Sequence, residues 1–378
     1  MALDVRGTPL WEVELGPERP PLEGSAHADV CVVGLGGSGL SCVRELRRLG
    51  ASVVGLDEGR VGWGAAGRNG GFLLAGLAPF YHDAVERFGR ARARTMYALT
   101  MEELERIATE TPAGVSRQGS LRIAESAEEL ADCERQLVAM RADGFPVEPY
   151  DGDQGRGLLI PGDGTFQPLV RCRSVATQEL DAGAVLHERS RVTRIAGGEV
   201  QTEGGTVHCD LVIVAVDGRL EQLLPELSGA VRSARLQMLA TAPTSEVRLA
   251  HPVYARWGFD YWQQRPDGSI AMGGARDLAE ASEWTIDAEP TREVQDALEH
   301  RLRDQLGVRA PITHRWAATV GYTASGLPVV GEVRPGVWAI GGYCGTGNVV
   351  GSLLGRGLAR WHVGGDDTLV RPFLHADD

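Results

Sequence analysis

Ala28-Asp29-Val30-Cys31-Val32-Val33-Gly34-Leu35-Gly36-Gly37-Ser38-Gly39 is a short apolar, β-branched run that ends in a glycine turn, and Leu40 to Leu49 continues it as a helix-like segment closed by Gly50. A second apolar run, Ser52 to Leu56, stops at Asp57. Strand, glycine turn, helix, strand and acid in this order form a dinucleotide-binding βαβ unit. In the GxGxxG pattern, Gly34 permits the tight turn, Gly36 lets a pyrophosphate approach the backbone, and Gly39 allows close helix packing. Gly37 and Ser38 stand at the helix N-terminus, the positive end that favours phosphate, and Asp57 can accept from ribose hydroxyls. Without a ligand the same residues make an ordinary glycine turn, and the motif does not separate NAD from FAD.

The chain around this unit has 378 residues, more than one simple core holds and enough for two domains. Its net charge of −13 repels phosphate backbones and anionic headgroups, so neither nucleic acid nor membrane is an expected partner. All 38 basic residues are arginine, which excludes lysine Schiff-base chemistry and the P-loop lysine. Asparagine occurs only as Asn69 and Asn348, both in glycine-rich loops. The six cysteines form no CxxC pair, which argues against a disulfide framework or a zinc site and for buried free thiols. The N-terminus, with Asp4 and Arg6, lacks an apolar core region, and no run approaches the ~20 apolar residues of a membrane helix. A reducing cytoplasm is the expected compartment. The nine histidines show no HxxxH or HExxH spacing, and Leu40 breaks any GxSxG elbow at Ser38.

Residues 1–27, proline-rich and polar, read as an extended surface lead-in with Trp11 and Leu15 as anchors. Asp83 to Glu110 suits one or two amphipathic helices. Ser126 to Met140 predicts another, with Ser126 and Glu129 as a capping box and Gly144 as terminator. Gly183 to Val216 reads as a small meander feeding a buried strand, and Tyr254 to Gly274 as a hairpin around Arg265-Pro266-Asp267-Gly268. Thr291 to Leu306 reads as a helix capped by Thr291. Val337 to Ile340 is a strand, followed by a glycine loop, Gly341 to Gly347, and a helix from Val349 to Trp361.

Directly after the acid, Asp57-Glu58, comes Gly62-Trp63-Gly64-Ala65-Ala66-Gly67-Arg68-Asn69-Gly70-Gly71-Phe72, where a simple NAD dehydrogenase would begin its next helix. With Leu10-Trp11 and the first glycine turn, this run resembles the FAD-dependent D-amino acid oxidase/glycine oxidase superfamily, most of all its γ-glutamylputrescine oxidase-like branch. Asp181-Ala182-Gly183-Ala184, Gly326-Leu327-Pro328-Val329-Val330-Gly331 and Gly341-Gly342-Tyr343-Cys344-Gly345-Thr346-Gly347-Asn348 follow in the family's order, so the likeness covers nearly the whole chain.

The resemblance implies an α/β protein: a Rossmann-like, glutathione reductase-type FAD domain from residues 1–78, 166–229 and 316–378, and an inserted α+β substrate domain on an antiparallel sheet from residues 79–165 and 230–315. It implies cofactor contacts from Gly34, Gly36, Gly37, Ser38, Gly39, Asp57, Glu58, Gly64, Arg68, Asn69, Gly70 and Gly71, from Val192 near the adenine, and from Gly345, Thr346, Gly347 and Asn348. The last group has its own reason: backbone amides at a helix start suit the negative charge of a reduced flavin near N1 and the C2 carbonyl. Read without a ligand, Arg68 is a surface guanidinium and Asn69 a turn residue. Sarcosine oxidase-like members bind flavin through a cysteine just before the segment matching Thr323 to Pro328. This chain has Ala318-Thr319-Val320-Gly321-Tyr322 there, and it has no histidine at the second loop, where dimethylglycine dehydrogenase-like members attach theirs. Noncovalent FAD is the expectation.

The implied reaction is oxidation of the C–N bond of an amine or amino acid by hydride transfer to flavin N5, with oxygen as the simplest reoxidant. Tyr254, Arg256, Tyr261, Trp262 and Arg276 are the pocket candidates, each also readable as packing or a surface ion pair. Asp260 equally favours a second amine on a polyamine-like substrate. No catalytic side chain is assigned, and the oligomeric state is not legible. A dehydrogenase or biosynthetic tailoring enzyme with another electron acceptor shares every motif, as does a flavin-binding regulatory protein without turnover.

Overall fold

The computed structural model describes residues 7–12 and 18–374; Leu15, expected to anchor the N-terminal segment, lies outside them. One sheet is built around the first glycine motif. Gly24–Val33 runs parallel to Gly205–Val214 on one side and to Val53–Leu56 on the other, with Val185–His187 beyond the latter. Val337–Gly341 extends the sheet in parallel, and Val329–Arg334 closes it antiparallel. The inner strands are apolar along their central positions because both faces are covered. Val30, Val32, Val53 and Ile213 pack beneath the helices Gly37–Arg48 and Val350–Gly364. Cys31, Val33, Val54, Val212 and Val214 pack on the other face with Val192, Ile195 and Val200 of the meander strands Val192–Ala196 and Glu199–Thr202, which pair antiparallel with the start of Gly205–Val214.

Helix Gly37–Arg48 places Leu40, Val43 and Leu46 in this core with no exposed surface. Burial of each stabilises the layer by about 1.5–3 kcal/mol. Gly355 on the C-terminal helix lets the two helices touch, since a Cβ there would stand 2.1 Å from the Ser38 carbonyl oxygen.

The second sheet is mostly antiparallel. Its order is Ile312–Tyr322, Arg232–Thr241, Ile270–Gly273, Asp260–Gln264, Val253–Ala255, Ser120–Ala124, Gly155–Ile160 and Glu148–Gly152, with one parallel contact between Val253–Ala255 and Ser120–Ala124. The expected hairpin forms around Arg265 to Gly268, closed by the Gly268 amide donating to the Arg265 carbonyl at 2.9 Å. Tyr81–Phe88, Arg90–Glu110 and Ala127–Ala142 cover one end of the sheet. Arg292–His300 packs on the face formed by Leu121, Val253 and Met272.

Ser126 caps its helix as expected, accepting from the Glu129 amide at 3.1 Å, but the Glu129 carboxylate reaches the amide of Glu125 rather than that of Ser126. Thr291 precedes its helix without capping it, because its hydroxyl accepts from Gln237 instead. The N-terminal segment also differs from a surface lead-in. The first strand begins at Gly24, and Trp11 and Leu22 are buried, Trp11 against Phe72, Leu169 and Trp316. A two-stranded ribbon, Phe72–Leu73 with Gly164–Thr165, lies where the chain passes between the large sheets. The strand Ile312–Tyr322 runs through position 316 without a break, paired along its length with Arg232–Thr241. Among the described residues no helix is long and apolar enough to cross a membrane.

Candidate functional site

The three glycines of the first turn do different things. Gly34 has φ +99°, and a Cβ on it would come 2.5 Å from the Ala215 carbonyl oxygen of the neighbouring strand. Gly39 sits where a Cβ would be 1.8 Å from the Gly34 carbonyl oxygen, so only glycine lets the helix leave the strand so closely. At Gly36 an added Cβ meets only the Ala66 methyl, at 3.2 Å, with space beyond it. Helix Gly37–Arg48 starts with no side-chain cap and no acid in its first turn, which leaves its first amides for a ligand. Asp57 organises the turn: its two carboxylate oxygens accept from the amides of Leu35 at 2.7 Å and Gly59 at 2.9 Å. Burial nevertheless pushes this carboxyl up to about 6, against the pull of those two amides. Glu58 pairs with Arg219 at the rim.

The second and last glycine loops meet through their asparagines. Asn69 ends the short helix Ala65–Arg68; its Nδ2 donates to the carbonyls of Ala65 and Ala66, and its Oδ1 accepts from the Gly71 amide at 2.8 Å. Its amide also pairs with that of Asn348, which donates in addition to the Phe72 carbonyl at 2.9 Å. The Trp11 indole donates to the Asn69 carbonyl at 2.7 Å. Asp217, half-buried, accepts from the amides of Gly321, Gly342 and Tyr343 and so fixes the root of the last loop. Helix Val350–Gly364, like the first helix, begins with no side-chain cap and no acid.

Two cavities meet at these loops. The larger, of about 750 Å³, is lined by Gly34, Gly36, Gly37, Ser38, Asp57, Glu58, Gly64 and Val192, and continues past Arg68 and Asn69 to Gly345, Gly347 and Asn348. The smaller, of about 280 Å³, shares Ala65, Arg68, Asn69, Ala318, Val320, Gly345 and Asn348 with it and adds Gly70 and Thr346. Gly39 and Gly71 line neither cavity; both serve the backbone, Gly71 with φ +71° and the Phe166 carbonyl oxygen 2.7 Å from where a Cβ would be.

The second sheet supplies the far wall of the smaller cavity. Side chains alternate across a strand, so residues paired in register share a face. Arg122 pairs with Tyr254, Tyr254 with Tyr261, Tyr261 with Gly273, Gly273 with Met238 and Met238 with Trp316. This row faces the loops. Gly273 makes room for the Tyr261 ring, whose atoms lie 2.4–2.6 Å from where a Cβ would be. Tyr254 and Tyr261 stack at 5.6 Å with Phe72 edge-on to both.

Of the five expected pocket residues, Tyr254, Tyr261 and Arg276 line the smaller cavity, and Arg256 and Trp262 do not. Trp262 follows Tyr261 directly and therefore points to the opposite face, where it packs with Leu121, Val253 and Met272. Arg256 is held by Asp260 and Asp277. Asp260 is buried and saturated by Arg256, Arg301 and the Ala275 amide, each at 2.8 Å, so it offers nothing to a second amine. The structure adds Arg122, Tyr97, Met238 and Tyr322 to the wall. Arg122 had a visible signal: one cation among the apolar residues of Ser120–Ala124.

Residues 29–361 match the family described as FAD dependent oxidoreductase. The chain belongs to this family. Among curated members it is similar to a probable oxidoreductase OrdL of Rhizobium meliloti (strain 1021), 28% identical and covering 94% of this chain and 88% of that one. It is also similar to gamma-glutamylputrescine oxidoreductase of Escherichia coli (strain K12), 29% identical over 89% of this chain and 84% of the relative. L-proline dehydrogenase from P. horikoshii shares the fold with TM-score 0.75 at 18% identity, covering 92% of this chain and 96% of that one. Glycine oxidase from Geobacillus kaustophilus does so with TM-score 0.72 at 22% identity, over 93% and 96%. The expected superfamily and α/β fold are therefore the ones found, and the protein is an FAD-dependent oxidoreductase.

FAD fits the larger cavity on the evidence of its walls: two uncapped helix starts for negative charge, space over Gly36, and a carboxylate at Asp57. Gly345 is open on the side a Cβ would take, its nearest neighbour there being the Tyr322 hydroxyl at 4.0 Å. In the smaller cavity burial raises Tyr254, Tyr261 and Tyr322, the last to about 12, so these phenols stay protonated near neutrality. Burial also lowers Arg68, whose guanidinium donates to the Ala317 carbonyl and lies 5.0 Å from the Trp63 ring.

Proposed function

We propose that this chain oxidises the C–N bond of a small amino acid or related amine with noncovalent FAD. The observation that carries the reading is the junction of the two cavities at Arg68, Asn69, Ala318, Val320, Gly345 and Asn348. A cofactor lying along the larger cavity ends where the smaller, arginine-bearing one begins. The first glycine turn and Asp57 hold the dinucleotide end, Val192 lies toward the adenine, and Gly345 to Asn348 present amides to the flavin. Among the described residues the wall shared by the two cavities holds no cysteine or histidine, Cys172 lining the larger cavity alone and Cys344 the smaller. The chain divides accordingly into a FAD-binding unit, 1–78, 166–229 and 316–378, and a substrate unit, 79–165 and 230–315.

The chemistry FAD would supply when bound is acceptance of a hydride at N5 from the substrate carbon that bears nitrogen, leaving a protonated imine for water to hydrolyse and a reduced cofactor that oxygen most simply reoxidises to hydrogen peroxide. The protein's own part is positioning and exclusion of water. Arg276 receives a substrate carboxylate, Tyr254, Tyr261 and Phe72 wall the carbon chain, and the amide group at the last loop offsets developing negative charge. Among the described residues lining the smaller cavity there is no carboxylate or histidine to take a proton, so the amine arrives unprotonated.

A second reading, reoxidation by an acceptor other than oxygen, is favoured by one observation: arginine supplies every basic side chain on the smaller cavity's wall. The test is product analysis. FAD-loaded protein incubated in air with its amine yields carbonyl product and peroxide in equal amounts. Carbonyl product without peroxide assigns another acceptor, and no carbonyl product with any amine removes the reading. Six free thiols agree with the cytoplasm as compartment.

A further inference from the structure

The smaller cavity carries more positive charge than one substrate carboxylate can answer. Arg68 is committed to the Ala317 carbonyl and the Trp63 face. Arg122 and Arg276 are not committed in this way: among the described residues neither makes an ion pair or donates a hydrogen bond. Arg122 Nε and Arg276 Nη1 are buried without a partner. Both guanidiniums rest on rings instead, Arg122 at 4.9 Å from Tyr254 and Arg276 at 4.9 and 5.1 Å from Trp284 and Tyr322. Among the described residues no aspartate or glutamate lines the cavity, although the chain as a whole carries a charge of −13. Asp163, the acid nearest in effect to Arg122, is enclosed by the Ser120 hydroxyl and the Ala75 amide.

Resting on the amine-oxidation reading above, we propose that the substrate is an amino dicarboxylate, with one carboxylate at Arg276 and the second at Arg122. A buried guanidinium N–H that meets no acceptor is costly, and a carboxylate satisfies a guanidinium through two parallel N–H donors. An amino monocarboxylate answers one of the two arginines and leaves the other desolvated and unpaired. A free diamine brings positive charge to a wall with no acid. An amino dicarboxylate answers both, and the apolar rings between the arginines accept its methylenes. Small size follows from the cavity, about 280 Å³.

The test separates binding from turnover. FAD-loaded protein is titrated with succinate, glutarate and adipate and with butyrate, pentanoate and hexanoate, and the perturbation of the flavin bands is followed. The tightest dicarboxylate is expected to bind about tenfold or more tightly than the monocarboxylate of equal length, the scale of one charge-assisted contact. R122M brings that ratio to about one with flavin content retained, R122K keeps most of it, and R276M weakens both series. A ratio near one in the unsubstituted protein, or a ratio that survives R122M, overturns the proposal and leaves Arg122 to the cofactor's charge. Anaerobic bleaching by glutamate, aspartate and their N-methyl derivatives, but not by alanine or norvaline, is the matching turnover result. Bleaching by the monocarboxylates alone overturns the dicarboxylate proposal while keeping amine oxidation. A dicarboxylate preference without bleaching by any amine removes the oxidase reading instead.

Discussion

Asn69 and Asn348 hydrogen-bond each other through both side-chain amides, at 3.0 Å in each direction, across 279 positions of sequence. They are the only asparagines in the chain, and both also hold backbone of the second glycine loop, Asn69 at the Gly71 amide and Asn348 at the Phe72 carbonyl. The pair ties the second glycine loop to the last one at the point where the two cavities join.

N69A and N348A should each cost about 1 kcal/mol by stranding the partner amide. The double variant should cost less than the sum, since the second substitution removes a bond already lost. Thermal unfolding of the four proteins in the presence of excess FAD gives the cycle, and strictly additive losses would show that the pair does not couple the loops.

FAD affinity should depend on pH through Asp57. Burial raises this carboxyl from its ordinary 3.8 to about 6. With the folded value raised, ionisation costs the empty protein stability as pH rises from the ordinary value through about 6. Ribose hydroxyls donate to the charged form, so FAD binding should strengthen as pH rises through about 6 and level off above it, weakening by up to roughly tenfold per unit below. Equilibrium titrations from pH 5 to 8 test the trend, and in D57N it should be flat.

The glycines of the first turn should separate folding from binding. G39A forces a Cβ against a backbone oxygen and should prevent the protein from folding. G36V enters open space beside Ala66 and should leave a folded protein that no longer retains FAD. Circular dichroism and flavin content, measured together, distinguish the two; a G36V protein with full flavin would place the pyrophosphate elsewhere.

Glu103 should matter to stability by tying two helices together. It is fully buried and accepts from Arg356 at 2.7 and 3.0 Å and from Arg106, joining helix Arg90–Glu110 to the C-terminal helix. E103A leaves Arg356 buried without its counter-charge and should cost about 3–5 kcal/mol. R90A, which removes an exposed pair with Asp143, should cost at most about 1 kcal/mol. Denaturant unfolding compares them.

The first glycine turn and the strands and helix around it were legible because their motifs are local. Gly34, Gly36, Gly39 and Asp57 lie close together in sequence, and the strand, turn and helix between them permit few alternatives. The wall of the smaller cavity is set by register between distant strands, which a single sequence does not display. Tyr261 and Trp262 illustrate this: adjacent positions on a strand must face opposite ways, and only pairing with Tyr254 and Gly273 decides which faces the cavity. Arg122 enters the wall through a parallel contact with a segment more than a hundred residues away. Trp11 was read as an anchor, yet its burial beneath Phe72 and Trp316 depends on both sheets being in place.

The most direct test is the visible spectrum of the FAD-loaded protein, followed anaerobically as amines and amino acids are added one at a time. The account predicts that the long-wavelength flavin band bleaches with a small amino acid and returns on admission of an electron acceptor. Protein that fails to retain FAD, or a band that no amine or amino acid bleaches, would contradict it.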